Sequence, residues 1–322
     1  MANRVCETLG IRYPVIQGAM AWCSNHELVA AVSNAGGLGV LGVGFAPPEV
    51  IREEVKKVRE LTDKPFGANI FMMPDMLKVT SPLFLELCPP VLYVDILANL
   101  DMDLAIHHFK LWHDAGIKIV FKASFISDAV KAQEAGADVI IVKGWEGGGH
   151  VTDETTMVLV PQAAELIKVP LVASGGIADG RGMAAGIILG ADGCEMGSAF
   201  LLAEENNLHP AFKQKVIETG DMGTTITGLS TGEPSRMVTN ALSKRILQIE
   251  AENLRAEAAK IVAEMSAGSL RRGATTGDLE EGAVMIGQIV PLLRKIRPAK
   301  EIIESTVNEC EAILSRHMTL GL

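Results

Sequence analysis

Eight short apolar runs, each followed by a longer amphipathic stretch, recur through the first 200 or so residues of this 322-residue chain. They are Pro14–Gln17, Leu38–Val43, Phe66–Ile70, Val91–Ile96, Ile117–Ala123, Asp138–Gly144, Pro170–Gly176 and Gly193–Ser198. A run that is apolar throughout, rather than on alternate residues, suits a strand covered on both faces. That is the condition of a parallel sheet. The stretches between read as helices, among them Pro48–Leu61, Ser127–Ala135 and Gly180–Leu189, several closed by Ala-Gly or Gly-Ala at a C-cap. Repeated eight times, the unit predicts an α/β fold, a closed TIM (β/α)8 barrel. An open doubly wound sheet is the competing arrangement, and the repeat count favours the barrel.

Beyond Phe200 the pattern changes. Residues 205–270 read as mostly helical, with charged solvated faces such as Lys244–Lys260 and no further strands. A glycine-rich return follows at Gly273–Gln288, then a terminal amphipathic helix. The expected organisation is a barrel over 1–204, a helical cap subdomain over 205–272, and a return segment with its helix over 273–322.

Composition narrows the function classes. Hydrophobic residues make up 48% and charged residues 21%, the balance of a globular chain. The net charge of −10 and the lack of a Lys/Arg run argue against nucleic acid as partner. The five cysteines are scattered without a CxxC pair, which suits free thiols in a cytoplasmic protein and no metal site. The amino terminus lacks a signal pattern, and no apolar run reaches the ~18 residues of a membrane span.

Two glycine turns carry the clearest chemistry. Ser174-Gly175-Gly176-Ile177-Ala178-Asp179-Gly180 follows the seventh strand candidate, and Gly197-Ser198 follows the eighth. Glycine lets backbone N–H groups approach an anion, and these two loops are the usual phosphate site of such barrels. Tight turn packing alone is the plain alternative. Gln17 to Trp22 and Gly67-Ala68-Asn69 at strand ends, and Ala35 to Gly39 leading into the second strand, offer small residues that leave room for a flat ligand, and the Asn69 amide can both donate and accept. Lys143 to His150 carries four glycines, three of them directly before a histidine that can move a proton near neutral pH.

In this order the motifs resemble the flavin-dependent enoyl-acyl-carrier-protein reductases and their relatives, the nitronate monooxygenases. The resemblance rests on Tyr13 to Trp22, Ala35 to Gly39, Thr62 to Asn69, Glu146 to His150, Ser174 to Gly180, Met196 to Phe200, and Gly277-Asp278 through Gly287-Gln288. It implies FMN, with its phosphate on Gly175, Gly176, Gly197 and Ser198, and with Ser174 and Lys143 also among the cofactor-binding residues. Its ring would lie across Gly18, Ala19, Met20 and Asn69, with Met285, Gly287 and Gln288 closing one edge. It also implies NADH or NADPH as electron donor, an acyl-thioester substrate with acyl carrier protein as one carrier, and a homodimer. His150 matches the histidine that both groups set beside the substrate. Reduction of an enoyl thioester is the favoured expectation, nitronate oxidation the alternative.

Three positions depart from the family. Asp95, Lys122 and Lys143 each set a charge near the end of consecutive strands, where the relatives carry uncharged or different side chains. A lone charge in an apolar strand is costly to bury unless paired, so Asp95 is expected to pair with Lys122, Lys143 or both. Such charges could form a structural ion cluster or face outward. A lysine beside the flavin would favour the anionic reduced cofactor, and one with a depressed pKa could form a Schiff base in a barrel lyase that has lost flavin.

Overall fold

The computed structural model describes residues 3–97 and 99–316, so Ala98, inside the loop after the fourth strand, lies outside the described residues. Eight parallel strands form one sheet: β1 Val15–Gln17, β2 Gly39–Leu41, β3 Phe66–Phe71, β4 Val91–Asp95, β5 Lys118–Ala123, β6 Val139–Lys143, β8 Leu171–Ser174 and β9 Gly193–Met196. The two-residue β7, Gly149–His150, interrupts the count because it belongs to a second sheet. β1 pairs with β9 at one edge, and an Ile16–Leu38 bridge joins it to the chain entering β2 at the other. The sheet therefore closes, and the open alternative is excluded.

Period-two alternation explains the interior. Ile16, Leu38, Val40, Val91, Tyr93, Val120, Val139, Ile141 and Val172 form one buried cluster inside the ring. A larger cluster lies between strands and outer helices. Val5 and Leu9 of the helix Arg4–Leu9 join the inner cluster, so this helix plugs the amino-terminal end. Two residues on from the inner cluster along β4, β5, β6 and β8 come Asp95, Lys122, Lys143 and Ser174. The layering thus puts polar groups at the carboxyl end by register alone.

The eighth outer helix comes from the far end of the chain. Ala299–Leu314 packs on Gly180–Ile188 so closely that a Cβ at Gly180 would lie 2.5 Å from the Cys310 amide. One expectation fails here. The segment after Phe200 holds two strands, β10 Thr224–Thr227 and β11 Ser235–Val238, and β11 also pairs with β7. Helices make up most of the rest, including Ala241–Glu252 and Arg255–Ser266. The return segment also begins inside a helix, Ser269–Thr276.

Candidate active site

The glycine turn after β8 is built for close approach. Gly175 and Gly176 both have positive φ, +88° and +72°, and a Cβ on Gly175 would lie 2.8 Å from the Gly144 carbonyl oxygen. The backbone N–H groups of Gly175, Gly176 and Ile177 have no protein acceptor among the described residues. A Cβ at Gly197 would find only the Met20 sulfur, at 3.7 Å. Unmatched donors on a backbone free of side chains fit the terminal phosphate of FMN.

The return segment closes beside this turn. The Gly287 amide donates to Ser198 Oγ at 2.9 Å, and the Gln288 amide donates to the Glu146 carbonyl at 2.8 Å. Gly148 must be glycine here, since a Cβ would sit 2.6 Å from the carbonyl carbon of Ile286. Gly175, Gly176, Gly197, Ser198, Met285, Gly287, Gln288 and the histidine loop are therefore neighbours.

His150 is not on a free loop. Its backbone pairs with Ser235 in β11, and the next amide, Val151, donates to Pro234. The side chain is 47% exposed, with Nε2 3.7 Å from a Glu233 carboxylate oxygen. Partial burial and then the Lys143 ammonium hold its pKa below the usual histidine value, against the pull of Glu233. Arg236, also on β11, is buried over the Trp145 ring and donates to the Trp145 carbonyl and Thr224.

At the floor, the expected charge pairing divides in two. Lys122 Nζ meets Asp95 Oδ1 at 2.7 Å, and Asn69 Nδ2 donates to Asp95 Oδ2 at 2.8 Å. Burial alone would lower the Lys122 pKa, but Asp95 and Glu195 outweigh it and hold it above the usual lysine value. Lys143 does not pair with Asp95. Its ammonium donates to the Gly148 and His150 carbonyls, both at 2.7 Å, so it holds the histidine loop from beneath. Burial, then the Lys122 charge, brings the Lys143 pKa down to about 7. Asp95 and Lys122 face into the barrel, so outward-facing charges are excluded.

Glu195, on β9, completes the floor and escaped the sequence reading. It is 5% exposed and accepts hydrogen bonds from Tyr93 Oη and Ser174 Oγ. Burial, then Glu195 and Asp95, push the Tyr93 pKa well above its usual value. A Cβ on Gly18 would lie 2.7 Å from Glu195 Oε1, which brings the β1 tip, with Ala19 and Met20 beyond it, over this carboxylate. A lone charge in an apolar strand was the available signal, the same one that marked its three companions.

A family model described as nitronate monooxygenase matches residues 2–82 and 100–309, and the unmatched stretch contains Tyr93 and Asp95. A protein of Staphylococcus aureus strain MSSA476 named probable nitronate monooxygenase is 30% identical over 97% of this chain and 98% of its own length. FabK from Thermotoga maritima superposes with a TM-score of 0.90 at 35% identity, over 98% of this chain and 97% of that one. A nitroalkane oxidase from Streptomyces ansochromogenes gives 0.82 at 26% identity, over 97% and 100%.

Proposed function

Because this chain belongs to the nitronate monooxygenase family, we propose that it is a flavin-dependent oxidoreductase that reduces the double bond of an enoyl thioester with electrons from NADH or NADPH. The observation that supports a flavin-dependent oxidoreductase is the position of His150, held by β7 beside the turn with three unmatched amides, an arrangement that serves either substrate class. The likeness to FabK, an enoyl-acyl-carrier-protein reductase, is closer than that to the nitroalkane oxidase. We take 1–204 as the barrel, 205–272 as a cap over its mouth, and 273–322 as the segment that closes the site. Two copies forming a homodimer complete the proposal.

In this reading Gly175, Gly176, Gly197 and Ser198 hold the FMN phosphate. Gly18, Ala19, Met20, Asn69, Met285, Gly287 and Gln288 border its ring. Bound FMN supplies hydride chemistry. His150 donates a hydrogen bond to the substrate carbonyl and fixes its orientation, a role suited to a largely neutral imidazole. Lys122 is tied to Asp95, which speaks against its use as a Schiff-base nucleophile.

The test is an anaerobic assay with NADH or NADPH and crotonyl thioester. The expected result is loss and then recovery of the visible flavin band. A second reading, oxidation of alkyl nitronates by oxygen, draws on the family model and the Staphylococcus relative. Oxygen uptake with a nitronate and no need for NAD(P)H would select it, as would a flavin that stays oxidised in the first assay.

A further inference from the structure

We propose that Lys143 is the proton carrier of this site, using the one N–H that its two carbonyl partners leave uncommitted. Its Nζ donates to the Gly148 and His150 carbonyls, both at 2.7 Å, and forms no ion pair among the described residues. An ammonium has three N–H groups. The carbonyls take two, and the third has no protein acceptor among the described residues.

Loss of that third proton leaves an amine with two N–H groups for the same two carbonyls, plus a lone pair. Neither state leaves either carbonyl without its donor, so both are accommodated without rearranging the loop. A reversible proton carrier requires this, and Lys122, committed to Asp95, lacks it.

The charged groups around Lys143 come from every side: Lys122 on β5, Asp95 on β4, Glu195 on β9, Arg236 on β11, and Glu146 and His150 on its own loop. Burial and the Lys122 charge hold it near 7, with Arg236 acting the same way and Glu195 and Asp95 opposing. A group divided between its two states at neutral pH is well matched to proton transfer. His150, held lower, supplies a proton less readily.

In the reducing direction the Nζ–H bond breaks, its electron pair stays on nitrogen, and a C–H bond forms at the carbanionic carbon beside the carbonyl. Water then restores the ammonium. In reverse, the amine takes a proton from a carbon acidified by a carbonyl or nitro group. The inference rests on the barrel mouth being the reaction site, with an enoyl thioester as substrate for proton delivery or a neutral nitroalkane for proton removal.

Two measurements test it. Nitrogen-15 NMR of lysine-labelled flavoprotein, assigned with Lys143→Arg or Lys143→Gln, should show one Nζ titrating near 7. A midpoint above about 9, close to an ordinary lysine, overturns the proposal. Lys143→Arg can keep both carbonyl hydrogen bonds but cannot release a proton near neutrality. Its turnover should fall by about 100-fold or more, and the limb of the pH profile near neutrality should vanish. Wild-type turnover and profile in that variant would reduce Lys143 to a loop anchor. If no enoyl thioester or nitronate reacts at all, the functional reading fails, and the Nζ titration still decides the proton carrier separately.

Discussion

Asp95 and Lys122 form the one lysine–carboxylate ion pair seen inside the barrel among the described residues, and neither has easy access to water. Removing one partner of such a pair leaves an uncompensated buried charge. Asp95→Asn should therefore lower the unfolding free energy by about 3–5 kcal/mol, read from urea titration. An unchanged midpoint would mean that Glu195 takes over as the counter-charge. His150→Ala should cut turnover by about 100- to 1,000-fold, as for loss of a hydrogen-bond donor to the reacting carbonyl. It should purify with its flavin, since the imidazole is assigned to the substrate and not to the cofactor; a colourless variant would contradict the assigned role. At this scale the sequence exposed three of the four charged floor residues, because a charge amid Val and Ile is conspicuous. It offered Asp95 either lysine or both, and could not choose between them. Which carboxylate meets which ammonium depends on strand stagger around a closed ring, and no local pattern encodes that.

Among the elements, the turn after β8 has the sharpest requirement. Alanine at Gly175 would need positive φ and would press its methyl against the Gly144 carbonyl. Strain of about 1–3 kcal/mol is expected. Because relief means moving the amides, Gly175→Ala should also purify with less flavin, measured by visible absorbance per mole of protein. Full occupancy would place the phosphate elsewhere. Strands were the most legible elements: all eight apolar runs fall on a barrel strand, with ends shifted by only a few residues, and the helix Pro48–Leu61 matches at both ends. The hairpin β10–β11 was not legible. Thr224–Thr227 and Ser235–Val238 are short and partly polar, and they gain their sheet from the distant β7. Only tertiary pairing makes them strands.

For the molecule as a whole, the strained protonation of Lys143 predicts a pH dependence of stability. With a folded pKa of about 7 against 10.5 for the ordinary side chain, the unfolded chain binds more protons between those values. Stability from this group therefore rises with pH across that window and is lost as pH falls through 7. Cys6 and Cys23, pushed up by burial to about 11 and about 12, act in the opposite sense once unfolded thiols ionise. The clean comparison lies below that point, at pH values of about 7 and 8. Between them the urea midpoint of the wild type should climb, and that of Lys143→Gln should climb less. Equal slopes would mean that Lys143 carries its charge in the fold without penalty. The pairing of Ser235 with His150 reaches further still. The histidine is stitched to β11, in the segment proposed as the cap, so its backbone and that strand hold one position together. Whatever displaces β11 displaces the backbone that carries the imidazole as well.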